Sequence, residues 1–204
     1  GIDSTGKIFA QALSRAGRHV FTSKDFASRI RGGYTAYKVR TSVDRVESVV
    51  DRLDILIALT ERTVDENLDE LHEESIVIYD GERSMMSDFE APGEMTGLDV
   101  PLKRLAEDAG GAIMRNIVAL GAACSVSGFD IEYLDESLEK RFGGKGEAIV
   151  ENNKKAARLG AEYVEDEYDL ETPYDLETTD NNYVLLNGDE AIGMGALVAG
   201  CRFY

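Results

Sequence analysis

The sequence predicts an α/β fold in three layers, with a mostly parallel sheet, a helical second half and the first strand and helix of a second domain. Two apolar runs, residues 54–60 (DILIALT) and 75–79 (SIVIY), are typical of strands buried on both faces of a parallel sheet. Segments with helical spacing separate such strands. From residue 100 onward the apolar residues follow mainly helical spacing.

The chain begins with a predicted amphipathic helix that ends at Gly17. Its apolar residues recur at helical spacing, at Ile8, Phe9, Ala12, Leu13 and Ala16. Gly1, Gly6 and Lys7 also fit the P-loop pattern G-x-x-x-x-G-K-[ST]. Ile8, however, stands where the hydroxyl ligand of Mg²⁺ belongs, and no buried strand precedes Gly1. We interpret the match as coincidental, although the N–H groups of the first turn can hold an anion.

The next elements alternate between strand and helix. We expect strands at residues 19–23 and 34–40, joined by a polar loop through Arg31-Gly32-Gly33. Residues 63–74 are predicted to be helical because Val64, Leu68 and Leu71 share one face.

The second half predicts four helices, at residues 102–109, 114–126, 132–142 and 147–159, and Gly160 ends the last of them. Residues 162–180 contain nine acidic residues and no basic ones, which is typical of a solvated linker. A strand at 183–188 and a helix at 189–200 follow. We therefore expect one domain over 1–161, an acidic linker over 162–181, and the start of a second, truncated domain over 182–204.

The charge of the chain excludes several classes of partner. Its 39 acidic and 22 basic residues give a net charge of −17, which repels nucleic acid and anionic membranes. We find no apolar run long enough to span a bilayer and no secretory signal, so we expect a cytoplasmic protein. Arginine outnumbers lysine by 14 to 8. This acidic, lysine-poor composition favours a halophilic source over an ordinary acidic protein.

Basic residues concentrate near the start of the chain. Residues 1–40 contain eight basic and two acidic side chains, a charge of +6, so residues 41–204 carry −23. Three interpretations stay open: an anion site, a surface that docks on an acidic partner, and pairing with the protein's own carboxylates. The basic residues are Lys7, Arg15, Arg18, Lys24, Arg29, Arg31, Lys38 and Arg40.

The cysteines and histidines predict no metal site. Cys124 and Cys201 are far apart, and the sequence has no C-x-x-C pattern for an iron–sulfur cluster or zinc. Both are interpreted as buried, apolar-like thiols. His19 and His72 are isolated, and we expect His72 to be solvated on the acidic face of a helix.

Three stretches together resemble the 2-oxoacid:ferredoxin oxidoreductases. FTSKDFASRIRGGYTAYKVRTS is similar to the Arg-Gly-Gly loop and following strand of the family's gamma domain. RNIVALGAACSVSGFDIEYLDESLEKRFGGKGEAIVENNKKAARLG is similar to the helical second half of that domain. NGDEAIGMGALVAGCRFY resembles the opening of the alpha domain. The order implies a fused large (alpha) subunit, gamma domain first.

The resemblance implies a Rossmann-like gamma domain and a CoA-dependent oxidative decarboxylation of a 2-oxoacid to acyl-CoA and CO2, with ferredoxin reduction. The gamma–alpha order favours 2-oxoglutarate, with pyruvate next. Thiamine diphosphate, Mg²⁺ and a [4Fe-4S] cluster would belong to the intact complex with a beta subunit and would not be held by this fragment, which alone we expect to be inactive. Gly1 would be the last glycine of a glycine-rich turn whose preceding strand is missing.

Candidate binding residues follow from the same resemblance. Arg31, Gly32 and Gly33 would form a CoA or subunit-interface loop, because glycine allows close backbone approach and arginine grips phosphate. The alternative is a structural turn with Arg31 in an internal ion pair. Arg29 and Lys24 are weaker candidates. Asn116 is interpreted as a buried capping or hydrogen-bonding residue, and no residue is named as catalytic.

Two other functions stay open from the sequence. A stand-alone nucleotide-binding module would use the loop from Gly1 to Lys7, and Ile8 argues against it. A purely structural assembly domain would dock an acidic partner through the basic region and bind no coenzyme.

Overall fold

The computed structural model describes residues 1–26, 34–82, 90–91, 93–171 and 174–203. In these ranges the α-helices are α1 (Ile2–Arg15), α2 (Glu61–Asp65), α3 (Leu102–Ala109), α4 (Arg115–Val126), α5 (Ile131–Phe142), α6 (Glu147–Glu167) and α7 (Gly188–Val198). The strands are β1 (His19–Asp25), β2 (Ala36–Ser42), β3 (Leu53–Ala58), β4 (Leu71–Tyr79) and β5 (Thr96–Asp99). Short 3-10 turns occupy Leu68–Glu70, Ala112–Met114 and Gly143–Lys145.

The strands form two separate sheets. β3, β4 and β5 are parallel and lie in that order, with Ile55 opposite Ile76 and Ile76 opposite Thr96. β1 and β2 form an antiparallel pair in which Lys24 lies opposite Tyr37. The predicted α/β fold with a parallel sheet is therefore confirmed.

Both faces of the parallel sheet are covered, as continuous apolar strands require. Ile76 and Ile78 of β4 face the main core, which the long helices cover. Val77 faces the opposite side, where it forms a smaller cluster with Leu56 and with Val64 of α2. The third layer is thin, because α2 is a helix of only five residues.

The helical half is built around α4, whose predicted burial is confirmed. At the crossing of α4 and α6, the backbone of Gly121 lies against the carbonyl group of Ala157, and Gly160 lies against that of Val118. A side chain at either glycine would overlap the facing backbone.

The helix predicted at residues 63–74 is wrong. α2 ends at Asp65, and β4 begins at Leu71, which pairs with Leu53. The helical spacing of the three apolar residues was misleading because they do not share a buried face. Val64 is buried, Leu68 is 46% exposed and Leu71 starts a strand. His72 is consequently part of β4 rather than of a solvated helix face.

The predicted end of a helix at Gly160 is also wrong, because α6 runs on to Glu167. Gly160 is a position of close helix packing and not a stop signal. Residues 162–167 of the predicted acidic linker therefore belong to α6. The division into domains stays a prediction.

Residues 174–181, which we call the strap, lie across the domain instead of extending into solvent. The backbone N–H of Leu176 donates to the carbonyl of Ser127 at 2.8 Å. Thr179 donates from its N–H to Ala16 at 2.9 Å and from its hydroxyl to Gly17 at 2.6 Å. Gly17, at φ 76°, ends α1 in the left-handed conformation that glycine favours.

The strand predicted at 183–188 is wrong, because residues 181–187 pair with no other strand in the described part of the chain. The helix that follows is confirmed as α7. Asn187 caps it by accepting from the N–H of Glu190 at 2.9 Å, and the Glu190 carboxylate accepts from the N–H of Asn187 in return. No helix in the described ranges combines the length and apolarity that crossing a bilayer requires.

Candidate functional site

The carboxyl ends of β3, β4 and β5 meet at one edge of the parallel sheet, where open α/β sheets bind their ligands. The N-terminus of α1 belongs to the same region. Gly6 of α1 packs against the Tyr37 ring, and Asp3 forms an ion pair with Lys24 at the end of β1. We call this region the carboxyl edge.

A buried amide organises the carboxyl edge beyond β3. Asn67 is 3% exposed, and its Nδ2 donates to the carbonyl of Thr63 at 2.6 Å and to the Tyr34 hydroxyl at 2.5 Å. The hydroxyls of Thr60 and Thr63 share a further hydrogen bond of 3.1 Å. These bonds fix Tyr34, the first described residue after the loop with Arg31, Gly32 and Gly33.

A cation lies on the other side of that loop. Lys24 pairs with Asp3, and its ammonium group lies 5.3 Å from the centre of the Tyr37 ring. The hydrogen bond to Asp3 raises the pKa of Lys24, so this cation is charged at neutral pH. On the two sides of the loop, Lys24 thus connects to α1 and Tyr34 to Asn67.

The predicted loop residues Arg29, Arg31, Gly32 and Gly33 lie outside the described residues. Gly1, the other predicted binding residue, is the N-cap of α1 and has no side chain to satisfy the first N–H groups. No heavy atom of the described structure lies within 4 Å of where a Cβ of Gly1 would be. Gly1 therefore supplies no side-chain cap at the positive end of the helix.

Other basic residues of the first forty pair internally. Lys38 binds the Glu70 carboxylate at 2.5 Å, and Lys7 lies 3.9 Å from Glu190. Arg18 is buried and donates to the carbonyl of Glu177 in the strap at 2.8 Å; burial lowers its pKa. At Lys7 and Lys38 the third interpretation of the charge, pairing with the protein's own carboxylates, holds.

Sequence reasoning missed the polar groups beyond β4 and β5. The carboxylate of Asp99 accepts from the N–H of Gly81 at 2.7 Å, and Asp80 accepts from the N–H of Lys103 at 3.2 Å. Tyr168 at the end of α6 donates to the carbonyl of Asp99 at 3.0 Å, and burial raises its pKa. The missed signal was the position of Asp80 and Asp99, each at or just after the end of a strand.

A second polar cluster lies at the opposite edge of the sheet. Arg52 contacts Asp54 at 3.2 Å and Glu74 at 3.3 Å, and His72 lies 3.2 Å from Asp54. The Tyr174 hydroxyl donates to the carbonyl of Glu74 at 2.8 Å. This cluster ties the strap to β3 and β4, a structural role.

An apolar cleft of about 410 Å³ lies between β2 and β3, and α1 and α4 complete its walls. Asn116 lines it, half-buried, as the second residue of α4. Of the interpretation of Asn116 as a capping or hydrogen-bonding residue, the capping part is wrong, because the N-cap of α4 is Met114; the hydrogen-bonding part stays a prediction.

The two cysteines differ. Cys124 is buried as predicted, and burial raises the pKa of its thiol above the usual range. Cys201 is exposed, so the prediction of burial is wrong there: α7 and the residues after it contact little of the described chain. Among the described residues, no three His, Cys, Asp or Glu side chains are grouped to hold a metal ion.

Comparison with known proteins gives a consistent result. The family model for pyruvate ferredoxin/flavodoxin oxidoreductase matches residues 1–163. The ketoisovalerate oxidoreductase subunit VorA of Methanothermobacter thermautotrophicus is 32% identical over 166 residues, which cover 80% of this chain and 34% of that protein.

Solved structures agree. A 2-oxoglutarate:ferredoxin oxidoreductase from Magnetococcus marinus, with 2-oxoglutarate, coenzyme A and succinyl-CoA bound, matches 98% of this chain and 35% of its own at 28% identity, with a TM-score of 0.84. A keto/oxoacid ferredoxin oxidoreductase gamma subunit from Geobacter sulfurreducens matches 80% of this chain and 90% of its own at 28% identity, with a TM-score of 0.66. The chain spans about a third of the length of the first two relatives. On this match, the chain belongs to the pyruvate ferredoxin/flavodoxin oxidoreductase family.

Proposed function

We propose that the chain is the gamma domain, with the start of the alpha domain, of the fused large subunit of a 2-oxoacid:ferredoxin oxidoreductase. The complex would convert a 2-oxoacid and CoA to acyl-CoA and CO2 and pass the electrons to ferredoxin. The observation that carries the proposal is the likeness over 98% of the chain to an enzyme with 2-oxoglutarate and CoA bound. It supports 2-oxoglutarate as the first substrate to test and pyruvate as the second.

The domain division forms part of the proposal. The gamma domain would comprise residues 1–161, and the alpha domain would begin at 182. The match to a separate gamma subunit over 80% of the chain supports a boundary in this region. The cap of α7 at Asn187 supports a new element that starts beyond the strap.

The carboxyl edge would serve the coenzyme. The phosphates of CoA are anions, and the N-terminus of α1, which has no side-chain cap at Gly1, would offer them N–H groups and a positive dipole end. Arg31 would add a bidentate grip, and Gly32 and Gly33 would allow close backbone approach. Tyr34, fixed by Asn67, would anchor one end of this loop.

The remaining cofactors fit other parts of the complex. Thiamine diphosphate supplies the carbanion chemistry in such enzymes. The described residues of this chain offer no cluster of carboxylates or thiolates for Mg²⁺ or a [4Fe-4S] cluster. Cys124 is buried with a raised pKa, which disfavours the thiolate form that metal ligation requires. These groups are expected with the beta subunit and the remainder of the alpha domain.

The structural-assembly function is the stronger alternative. Because Lys7, Lys24 and Lys38 pair with carboxylates of the same chain, the charge at these positions is taken up by neither a coenzyme nor an acidic partner, and the choice between the two functions rests on Arg31. The nucleotide-binding function has less support. Ile8 is buried, so the position that should bind Mg²⁺ faces the core.

The test uses the full-length subunit co-purified anaerobically with its beta subunit. Viologen reduction is followed with 2-oxoglutarate and then pyruvate, with and without CoA, in the wild type, Arg31→Ala and Arg45→Ala. Arg45 is the matched control, since it is exposed and pairs only with Glu47 in the described structure. We expect CoA-dependent reduction, a KM for CoA raised about tenfold in Arg31→Ala, and no change in Arg45→Ala.

Two results would contradict the proposal. Absence of reduction with any 2-oxoacid, in a complex with cluster and thiamine diphosphate intact, would overturn the reaction. An unchanged KM for CoA in Arg31→Ala, with wild-type assembly, would remove Arg31 from the coenzyme site. Weakened assembly at unchanged KM would favour the structural alternative.

A further inference from the structure

We propose that the strap is a latch, a segment that is either fully bonded to the domain or fully released, with the buried Arg18 as its anchor. It would join α6 to α7 as a fixed connection, whereas the acidic composition of this part of the chain predicts a flexible linker. The proposal concerns this connection alone and assumes nothing about the reaction.

The first observation is that the strap supplies hydrogen-bond donors to the C-terminal ends of two helices. The last carbonyl groups of an α-helix have no partner within the helix. Ala16 is the C-cap of α1, and its carbonyl accepts from the N–H of Thr179 at 2.9 Å. Ser127 is the C-cap of α4, and its carbonyl accepts from the N–H of Leu176 at 2.8 Å. Both caps are at most 1% exposed, so release of the strap would leave two buried carbonyl groups without these partners, which is costly.

The second observation is the position of Arg18, which is 6% exposed. Its Nε donates to the Thr41 hydroxyl at 3.2 Å, and its Nη1 donates to the carbonyl of Glu177 at 2.8 Å. Burial lowers the pKa of Arg18, and the carboxylates of Glu177 and Asp175 oppose this shift. Release of the strap would therefore take an acceptor and two counter-charges from a buried cation.

The third observation is that these attachments are close together in sequence. Leu176, Glu177 and Thr179 are held by α4, by Arg18 and by the end of α1, all within four residues. Thr179 also donates from its hydroxyl to the carbonyl of Gly17 at 2.6 Å. Four consecutive residues cannot lift at one point without displacing their neighbours, so we expect these bonds to break together.

The chain stays on α1 after the strap. The Ser14 hydroxyl donates to the carbonyl of Tyr183 at 3.3 Å, and the Tyr183 ring lies 4.2 Å from the His19 ring, centre to centre. At the start of α7, Glu190 lies 3.9 Å from Lys7. α7 has no buried residue in the described structure, so its position depends on these contacts and on the strap.

The test is hydrogen–deuterium exchange of the full-length chain in its native complex, measured at the amides of Leu176 and Thr179. Thr179→Val removes the hydroxyl bond to Gly17 and keeps the backbone bond to Ala16. If the strap opens as one unit, exchange at both amides should become about fivefold faster, the effect of one hydrogen bond. Thr178→Val is the matched control, because Thr178 is exposed and makes no hydrogen bond in the described structure. It should change neither amide.

Arg18→Lys tests the anchor. Lysine keeps the positive charge but lacks the planar group with which arginine donates to Thr41 and Glu177 at once. We expect exchange at the amides of Leu176 and Thr179 to rise by the same factor, at least about fivefold. The amides of β4 are the reference for global unfolding and should keep wild-type exchange.

Four outcomes would overturn the proposal or one of its parts. Exchange of both strap amides in the wild type at the rate of an unstructured chain would make the segment a flexible linker. Faster exchange at Thr179 alone in Thr179→Val would show that the strap does not open as one unit. Unchanged exchange in Arg18→Lys would remove Arg18 as the anchor. So would a rise at β4 equal to that in the strap, because Arg18 would then stabilise the whole domain and not the latch.

Discussion

At the scale of single residues, polar side chains hold the fold together where elements end. Asn67 satisfies both the carbonyl of Thr63 and the hydroxyl of Tyr34 from a buried position. Arg18 does the same between β2 and the strap, since it donates to Thr41 and to the carbonyl of Glu177. Such residues are hard to find in a sequence because their partners are distant along the chain.

Tyr174 gives a prediction on alkaline stability. Burial raises its pKa to about 12, whereas an unfolded tyrosine titrates near pH ~10. Between these values the unfolded chain loses the phenolic proton and the folded chain keeps it, so stability falls as pH rises. Tyr174→Phe removes this dependence and also the hydrogen bond to Glu74. Near neutral pH, where both forms of Tyr174 are protonated, we expect the variant to be less stable by about 1 kcal/mol.

Urea unfolding of both proteins, followed by circular dichroism from pH ~8 to pH ~11, measures this. The difference in unfolding free energy between wild type and Tyr174→Phe should become smaller as pH rises. Curves that stay parallel over this range would show that Tyr174 ionises equally in both states.

At the scale of elements, the crossing of α4 and α6 depends on two glycines. Gly121→Ala and Gly160→Ala would each place a methyl group against a backbone carbonyl of the other helix. Helix propensity alone would favour alanine by about 1 kcal/mol. Overlap with backbone cannot be relieved by a rotamer change, so we expect each variant to lose about 3 kcal/mol of stability. Helix propensity alone predicts a gain in the free energy of unfolding and overlap predicts a loss, so the sign of the measured change shows which effect is larger.

Gly143→Ala is the matched control. Its φ is −52°, and no heavy atom of the described structure lies within 4 Å of the added Cβ. Thermal or urea unfolding should place it within about 0.5 kcal/mol of wild type. A Gly121 or Gly160 variant as stable as this control would mean that the two helices do not pack as described.

The elements predicted correctly are those in which burial alone explains the spacing of the apolar residues. The apolar run at 54–60 lies largely in β3, which ends at Ala58, and the run at 75–79 lies in β4, because a strand covered on both faces is apolar along most of its length. The helices at 102–109 and 132–142 show a single buried face. The predictions failed at residues 63–74 and at Gly160. At residues 63–74 apolar residues at helical spacing belong to different elements, and at Gly160 the glycine allows close helix packing and does not end the helix.

The candidate site could be predicted only in part, for a related reason. The Arg31 loop and Gly1 were selected from the resemblance; Gly1 is the N-cap of α1, and its binding role stays a prediction. Tyr34, Asn67 and Asp99 come together only through the topology of the sheet. Periodicity predicts which face of an element is buried, but not which strand ends meet.

At the scale of the whole molecule, the net charge of −17 predicts a response to salt. Raising KCl from about 0.1 M to about 1 M shortens the screening length from about 10 Å to about 3 Å. Repulsion among the carboxylates then weakens, whereas screening of the exposed ion pairs costs little stability because such pairs contribute little at any salt concentration. We expect the melting temperature to rise with KCl, which would support a halophilic source.

The control for this effect is sucrose, an uncharged solute that stabilises through exclusion from the surface. If sucrose at matched osmolality raised the melting temperature as much as KCl does, charge screening would not be the cause. If KCl lowered the melting temperature, attractive ion pairs would outweigh the repulsion among the carboxylates.

The strap has a consequence for the order in which the molecule can form. Thr179 bonds to Gly17 across 162 positions of sequence. Contacts between such distant residues form slowly, because a long loop must close before they contribute. During synthesis α1 leaves the ribosome early, yet its last turn is completed only when residue 179 has emerged. The C-terminal end of α1 therefore gains these two bonds only after residue 179 has been synthesised.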